Sequence, residues 1–152
     1  MTYEEAIQTI PCGRYRHFKG NEYEVIGIAR HSEDESPMVV YRALYGDGGI
    51  WVRPASMWNE MVTRNGVTYR RFYRLDLIER VEHYEQLFDE AAISPDPEKL
   101  AELDAYYTSG EWLEDYEADE RGELPPGLKR GVLSQDGLYD LLERMKADAK
   151  SD

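Results

Sequence analysis

The chain has 152 residues, with 18 Lys and Arg against 31 Asp and Glu for a formal net charge of −13. That length accommodates one domain or two small ones, burying roughly 68–70% of the unfolded surface, and such an acidic chain is a poor candidate for non-specific nucleic-acid binding, which rests on neutralising phosphates. No apolar run approaches the ~18 residues of a membrane helix, and the opening MTYEEAIQTIPC lacks the basic flank and apolar stretch of a signal peptide, so a cytoplasmic protein without membrane contact is expected.

The single Cys12 has no partner for a disulfide or a thiol-based zinc site, which fits a reducing compartment, and it reads as a small apolar filler. Charge divides the chain in two. Residues 1–75 hold ten Lys and Arg against nine Asp and Glu, whereas residues 76–152 hold eight against twenty-two. Two modules are expected, at 1–74 and 75–152.

Thr2 with Glu5 forms a capping-box signal, followed by Tyr3, Ala6, Ile7 and Ile10 at helical spacing until Pro11. Strand signals start at Arg14, turn at Lys19-Gly20-Asn21 and resume over 22–31, until the loop SEDESP. A third run spans 38–45. The Gly46-Asp47-Gly48-Gly49 tip suits positive-φ positions and returns the chain as 50–53. A helical spacing follows over 55–62, then an Asn65-Gly66 turn and a last strand over 67–73. Four or five short antiparallel strands predict a small SH3-like β-barrel.

Each strand has an aliphatic edge (Ile26 and Ile28; Val40 and Leu44; Ile50 and Val52) and an aromatic or basic one. The second edge carries Tyr15, His17, Lys19, Tyr23, Gly27, Ala29, His31, Tyr41, Tyr45, Trp51 and Arg53. Beyond it, an amphipathic helix spans about 75–93, with Leu77, Val81, Tyr84, Phe88 and Ala91 on one stripe and Glu79, Glu82, Glu85 and Asp89 largely opposite. Asp96 and Pro97 start another helix, Gly110 closes it, WLEDYEADE forms a short acidic one, and Ser134 or Asp136 caps a terminal helix. The fold class is therefore α+β: the barrel, then an all-α acidic helical module.

The motifs GRYRHFKG, GIARHSE, VVYRALYG, WVRP and MWNEMV, in that order, closely resemble an uncharacterised bacterial and phage family, domain of unknown function 1653, over about residues 12–73. The stretch YYTSGEWLEDYEADERGELPPGLKRGVLSQDGLYDLL resembles another uncharacterised family, domain of unknown function 4298, over about residues 78–145. The resemblance implies two modules, a compact barrel and an all-helical one, and supplies no activity.

Flat rings stack on planar groups, and Arg30 and Arg53 can clamp a phosphate or carboxylate through paired hydrogen bonds. The candidate ligand-binding residues are Tyr15, His17, Lys19, Arg30, His31, Tyr41, Tyr45, Trp51 and Arg53, for a small anionic, planar, nucleotide-like molecule. An aromatic stripe also packs as core, which leaves that alternative open.

No nucleophile motif accompanies the histidines, so no catalytic residue, metal or cofactor is assigned. In the second half Trp112, Asp115, Tyr116, Lys129 and Arg130 form a candidate partner-binding cluster, with helical core packing of Trp112 and Tyr116 the alternative. The expected function is a non-catalytic binding module whose acidic half gates the site or carries contact with a protein partner or a second copy. Two rivals fit the same residues: an adaptor with an acidic surface for a basic partner, and an enzyme acting on a nucleotide or sugar phosphate through His17 or His31.

Overall fold

The computed structural model describes residues 1–151, with side chains through Asp148. It divides into two compact units, residues 1–76 with 123–126, and residues 77–122 with those from 127 onward. None of the described helices is long and apolar enough to cross a membrane.

The first unit opens with α1 (Tyr3–Thr9), whose capping box forms as the sequence predicts. The Glu5 backbone N–H donates to Thr2 Oγ1 at 3.1 Å, and the Thr2 N–H donates to the Glu5 carboxylate at 3.3 Å. Two of the orphan donors of the first turn are thereby satisfied. Strands β1 (Gly13–His17), β2 (Glu22–Arg30), β3 (Pro37–Ala43) and β4 (Ile50–Pro54) follow, then the one-turn α2 (Ala55–Trp58), the hairpin of β5 (Met61–Arg64) and β6 (Val67–Arg70), and β7 (Phe72–Arg74). Five strands make one antiparallel sheet in the order β4-β3-β2-β1-β7, and β5 pairs with β6 alone.

The expected closed barrel is thus an open sheet among the described residues. The stretch that reads as one last strand, 67–73, divides at Arg71. Its first part folds back on Met61–Arg64 through a turn with Asn65 and Gly66 both at positive φ, and only three residues remain to join β1. That strand pairs with β1 alone, and β4 and β7 are the two outer strands of the sheet.

On β1, β2 and β3 the aromatic edge packs as core, the alternative that the sequence leaves open. Tyr15, Val25, Val39, Tyr41 and Phe72 form the core with Ala6, Ile10, Ala55 and Trp58, and Trp58 stacks on Phe72 at 3.8 Å. The aliphatic edge faces outward instead: Ile26, Leu44, Ile50 and Val52 are all exposed. A β-bulge between Val25 and Gly27 shifts the parity of β2, so that Ile28 pairs with buried Val39 and packs on the core, while Gly27 pairs with Val40 on the opposite face.

In the second unit α3 (Leu75–Ile93) is followed by α4 (Pro97–Thr108), where Asp96 caps by accepting from the Glu98 N–H at 2.8 Å. Gly110, at φ 94, turns the chain into α5 (Glu111–Glu120). A short 3-10 turn at Gly131–Leu133, absent from the sequence reading, precedes α6 (Gly137–Ser151). Ser134 Oγ accepts from the Gly137 N–H at 3.1 Å at its start. Leu77, Val81, Leu103, Tyr106, Leu138 and Leu141 are buried as the helical stripes require. Glu85 departs from its expected solvent face: it is buried and accepts from the Val132 N–H at 2.7 Å, holding the 3-10 turn against α3.

Candidate functional site

The end of β1 and the start of β7 bring together a row of rings that runs along the core face of the sheet and out to solvent. Phe18 stacks on Tyr69 of β6, with centroids 5.6 Å apart, and lies 4.5 Å from the His17 ring. His17 meets Phe72 edge-on at 5.1 Å, Phe72 meets Tyr23 at 5.7 Å, and Tyr23 meets Tyr45 at 5.5 Å with their hydroxyls 2.9 Å apart. Cations lie on this row. Arg53 sits 5.6 Å over Phe72, and Arg64 and Lys19 sit 5.4 and 5.9 Å over Phe18.

His17 is the centre of the row. Its Nδ1 accepts the Lys19 backbone N–H at 3.1 Å, which leaves Nε2 as the protonated, donating nitrogen of the neutral ring. Partial burial, then the positive charges of Arg71, Lys19, Arg53 and Arg64, hold its pKa below the usual histidine range. An uncharged N–H donor in a positive field, with Phe18 tilted against it and Phe72 edge-on, can hydrogen-bond an anion. Tyr23 is pushed up to about 12 by burial and by its hydrogen bond to Tyr45, so it stays a neutral hydroxyl.

The sequence-predicted ligand residues separate into four sets. His17, Lys19 and Arg53 are brought together, with Tyr45 at the far end of the row through Tyr23. Tyr15 and Tyr41 are core residues instead, 4% and 8% exposed, and Tyr15 donates its hydroxyl to the Pro11 carbonyl at 2.8 Å. Trp51 is exposed beside Tyr41 on the outer strand. Arg30 and His31 lie elsewhere: Arg30 stacks 3.9 Å over Tyr3 of α1, and His31 Nδ1 accepts the Glu33 N–H at 3.1 Å. For His31 the bulge in β2 is the reason, because it breaks the alternation that would have carried that residue to the face of Tyr23. Cys12, expected as a filler, is exposed with its Sγ 3.3 Å from the Ile26 carbonyl oxygen.

The partner-binding cluster of the second unit is largely interior. Trp112 is buried and donates Nε1–H to the Val132 carbonyl at 2.8 Å, and Tyr116 stacks on it at 5.2 Å. Asp115 is fully buried. It accepts from Arg80 Nε at 3.0 Å and Nη2 at 2.5 Å and from the Tyr106 hydroxyl at 2.6 Å. Arg130 pairs with Asp119, and Lys129 is exposed. Trp112 and Asp115 therefore cannot form an exposed recognition surface, because each spends its polar atoms inside the unit. Among the described residues no group of three or more His, Cys, Asp or Glu side chains could hold a metal ion.

Residues 13–74 match the family model described as Protein of unknown function (DUF1653), and residues 77–151 match Domain of unknown function (DUF4298). A crystal structure of a DUF1653 protein from Bordetella bronchiseptica is 37% identical, covering 43% of this chain and 87% of its own, with a TM-score of 0.41. This chain belongs to the DUF1653 family. Its second half is a DUF4298 domain. No curated protein matches it.

Within the DUF1653 half, Phe18, Arg64, Tyr69 and Phe72 belong to the ring row yet escape a reading by strand parity. Phe18 follows β1, and Arg64 and Tyr69 belong to the hairpin that the sequence merges into a helix and a single strand. The Asn65-Gly66 turn was the usable signal, since two alternating runs flanking it form a hairpin.

Proposed function

We propose that the DUF1653 half is a non-catalytic binding module for a small, planar, anionic ligand of nucleotide type. The observation that carries this reading is the ring row with Arg53, Arg64 and Lys19 over its faces and the neutral His17 at its centre. Stacking on a ring face is worth ~1–3 kcal/mol per base, and a charge-assisted hydrogen bond adds ~1.5–3 kcal/mol. The sheet supports an SH3-like fold opened on one side: β1 lies between β2 and the last strand, and a single helical turn follows the β2-β3-β4 meander.

The test is calorimetric titration of the full chain with nucleoside mono-, di- and triphosphates, with adenosine and ribose 5-phosphate as the separated halves. Intact nucleotides should bind and each half only weakly; a panel without heat of binding would discard the proposal. Protection against heating gives an independent measure, ~2.7 kcal/mol at a hundredfold excess over Kd.

One feature of the second half favours the adaptor reading. A cleft along α3 is lined by Glu79, Glu82, Glu85, Asp89 and Glu90, together with the single cation Lys129 among its lining residues. A basic protein segment is the matching partner, and its binding should weaken as salt screens the charges.

A further inference from the structure

Strand β4 is an outer strand of the sheet, and three successive residues of it are exposed apolar side chains: Ile50 at 59%, Trp51 at 61% and Val52 at 60%. Successive residues of a strand point to opposite faces, so exposure of all three means that both faces and the edge are uncovered here. Protected edges carry charges, prolines or a covering element. From Gly48 to Val52 there is no charge. Pro54 stands only at the end of the run, where it limits how far pairing can extend.

The backbone of this edge has a fixed pattern. The Ala43 N–H donates to the Gly49 carbonyl at 3.0 Å, which makes 43 and 49 a hydrogen-bonded pair. Pairs alternate along an antiparallel ladder, so Trp51 with Tyr41 and Arg53 with Val39 are hydrogen-bonded pairs, and Ile50 with Arg42 and Val52 with Val40 are not. The N–H and C=O groups of Ile50 and Val52 therefore point away from β3, toward the open edge.

We propose that two copies of this chain pair antiparallel through β4, with Ile50 of each opposite Val52 of the other and the two Trp51 residues facing across the two-fold axis. This register uses the four outward groups of each copy and leaves none mismatched. Trp51 falls at a non-hydrogen-bonded pair, where Cα atoms approach to about 4.5 Å and large side chains meet most closely. Arg53 falls opposite Gly49, which has no side chain to obstruct it, next to the Asp47 carboxylate that accepts the Gly49 N–H at 3.2 Å.

The strand is thus its own complement, with apolar run against apolar run and cation against anion. A second copy meets these demands without further conditions, unlike an unrelated peptide. Three side chains a copy fall short of the ~800 Å² per partner of a stable interface, so the dimer is weak and concentration-dependent. It needs no ligand, so it is tested apart from nucleotide binding although Arg53 is common to both, and Arg64→Ala, outside the paired strand, should leave it intact.

Sedimentation velocity of the full chain from about 10 μM to about 1 mM should show a growing dimer fraction over that affinity range. Val52→Pro removes an N–H that points away from β3, so it should keep the native melting temperature and stay monomeric throughout. In a Cys12→Ser background, Trp51→Cys should form a covalent dimer on mild oxidation, because facing residues at this pair satisfy disulfide geometry. Ile50→Cys should cross-link at least tenfold more slowly, since its opposite number is Val52. A monomer at every concentration overturns the pairing, as does undiminished dimer in a folded Val52→Pro. If Val52→Pro fails to fold, the cysteines decide: cross-linking as fast at 50 as at 51 excludes this register.

Discussion

The two halves of the molecule differ in where their arginines rest: the sheet unit pairs Arg16 with Glu22 and Arg71 with Glu60 but sets three others on rings. In the sheet unit Arg30, Arg53 and Arg64 rest on the faces of Tyr3, Phe72 and Phe18, where a ring stabilises the cation without neutralising it. In the helical unit Arg80 and Arg130 are held by Asp115 and Asp119. Positive charge over a ring remains available to an incoming anion; positive charge against a carboxylate is already consumed. An excess of acid in the second half is therefore compatible with the anion-binding face proposed for the first, because the ring-borne cations named above are not the ones its carboxylates hold.

The sharpest way to break this comparison is to remove Asp115. Asp115→Ala leaves the Tyr106 hydroxyl and Arg80 without their buried acceptor, and should cost about 3–5 kcal/mol in urea unfolding. Trp58→Ala empties the centre of the sheet's core and should cost a similar ~3–5 kcal/mol. Trp58→Phe should cost far less, since Trp58 Nε1 has no hydrogen-bond partner among the described residues. Arg64→Ala should instead spare stability and weaken nucleotide binding about tenfold, the loss of one charge-assisted contact, as read by calorimetry.

His17 sharpens the comparison through pH. Its folded pKa lies below its unfolded value, so above about pH 6.5 both states are neutral, and on acidification the unfolded chain takes the proton first. Stability is lost as pH falls from there through the folded pKa. A His17→Gln variant should lose less melting temperature than the parent over that window. A bound anion should raise the His17 pKa, followed by its imidazole proton resonance. Smallest of all, Glu22→Gln breaks a 3.5 Å pair with Arg16 in which both side chains are well exposed, and should change stability by under ~0.5 kcal/mol in chemical denaturation.

Much of this architecture is legible in the residues, for reasons that also mark where legibility ends. Capping at Thr2 and Asp96 is a local contest between a side chain and a few N–H groups, so sequence decides it. Strand alternation is equally local. Which edge faces inward is not: with Ile26, Leu44, Ile50 and Val52 on one side and Tyr15, Tyr41 and Phe72 on the other, hydrophobicity does not discriminate. The choice is made by Trp58, which arrives from a distant turn to stack on Phe72. The bulge at Ile26, which displaces His31 from the site, is marked in the sequence only by the isolated Gly27 beside it, a signal that does not give the shift in parity. Asp115 was obscure for another reason. A carboxylate in an acidic run looks solvated, and only Arg80, thirty-five residues earlier, makes its burial tolerable.

The three tryptophans occupy different environments: Trp51 is 61% exposed, while Trp58 and Trp112 are buried in separate units. Their emission should accordingly divide into one red-shifted, readily quenched component and two blue-shifted, shielded ones. Single-tryptophan versions of the protein would then report, by colour alone, on the outer strand, the sheet's interior and the helical interior. Each of the three regions could then be followed optically, one variant at a time, with no attached dye.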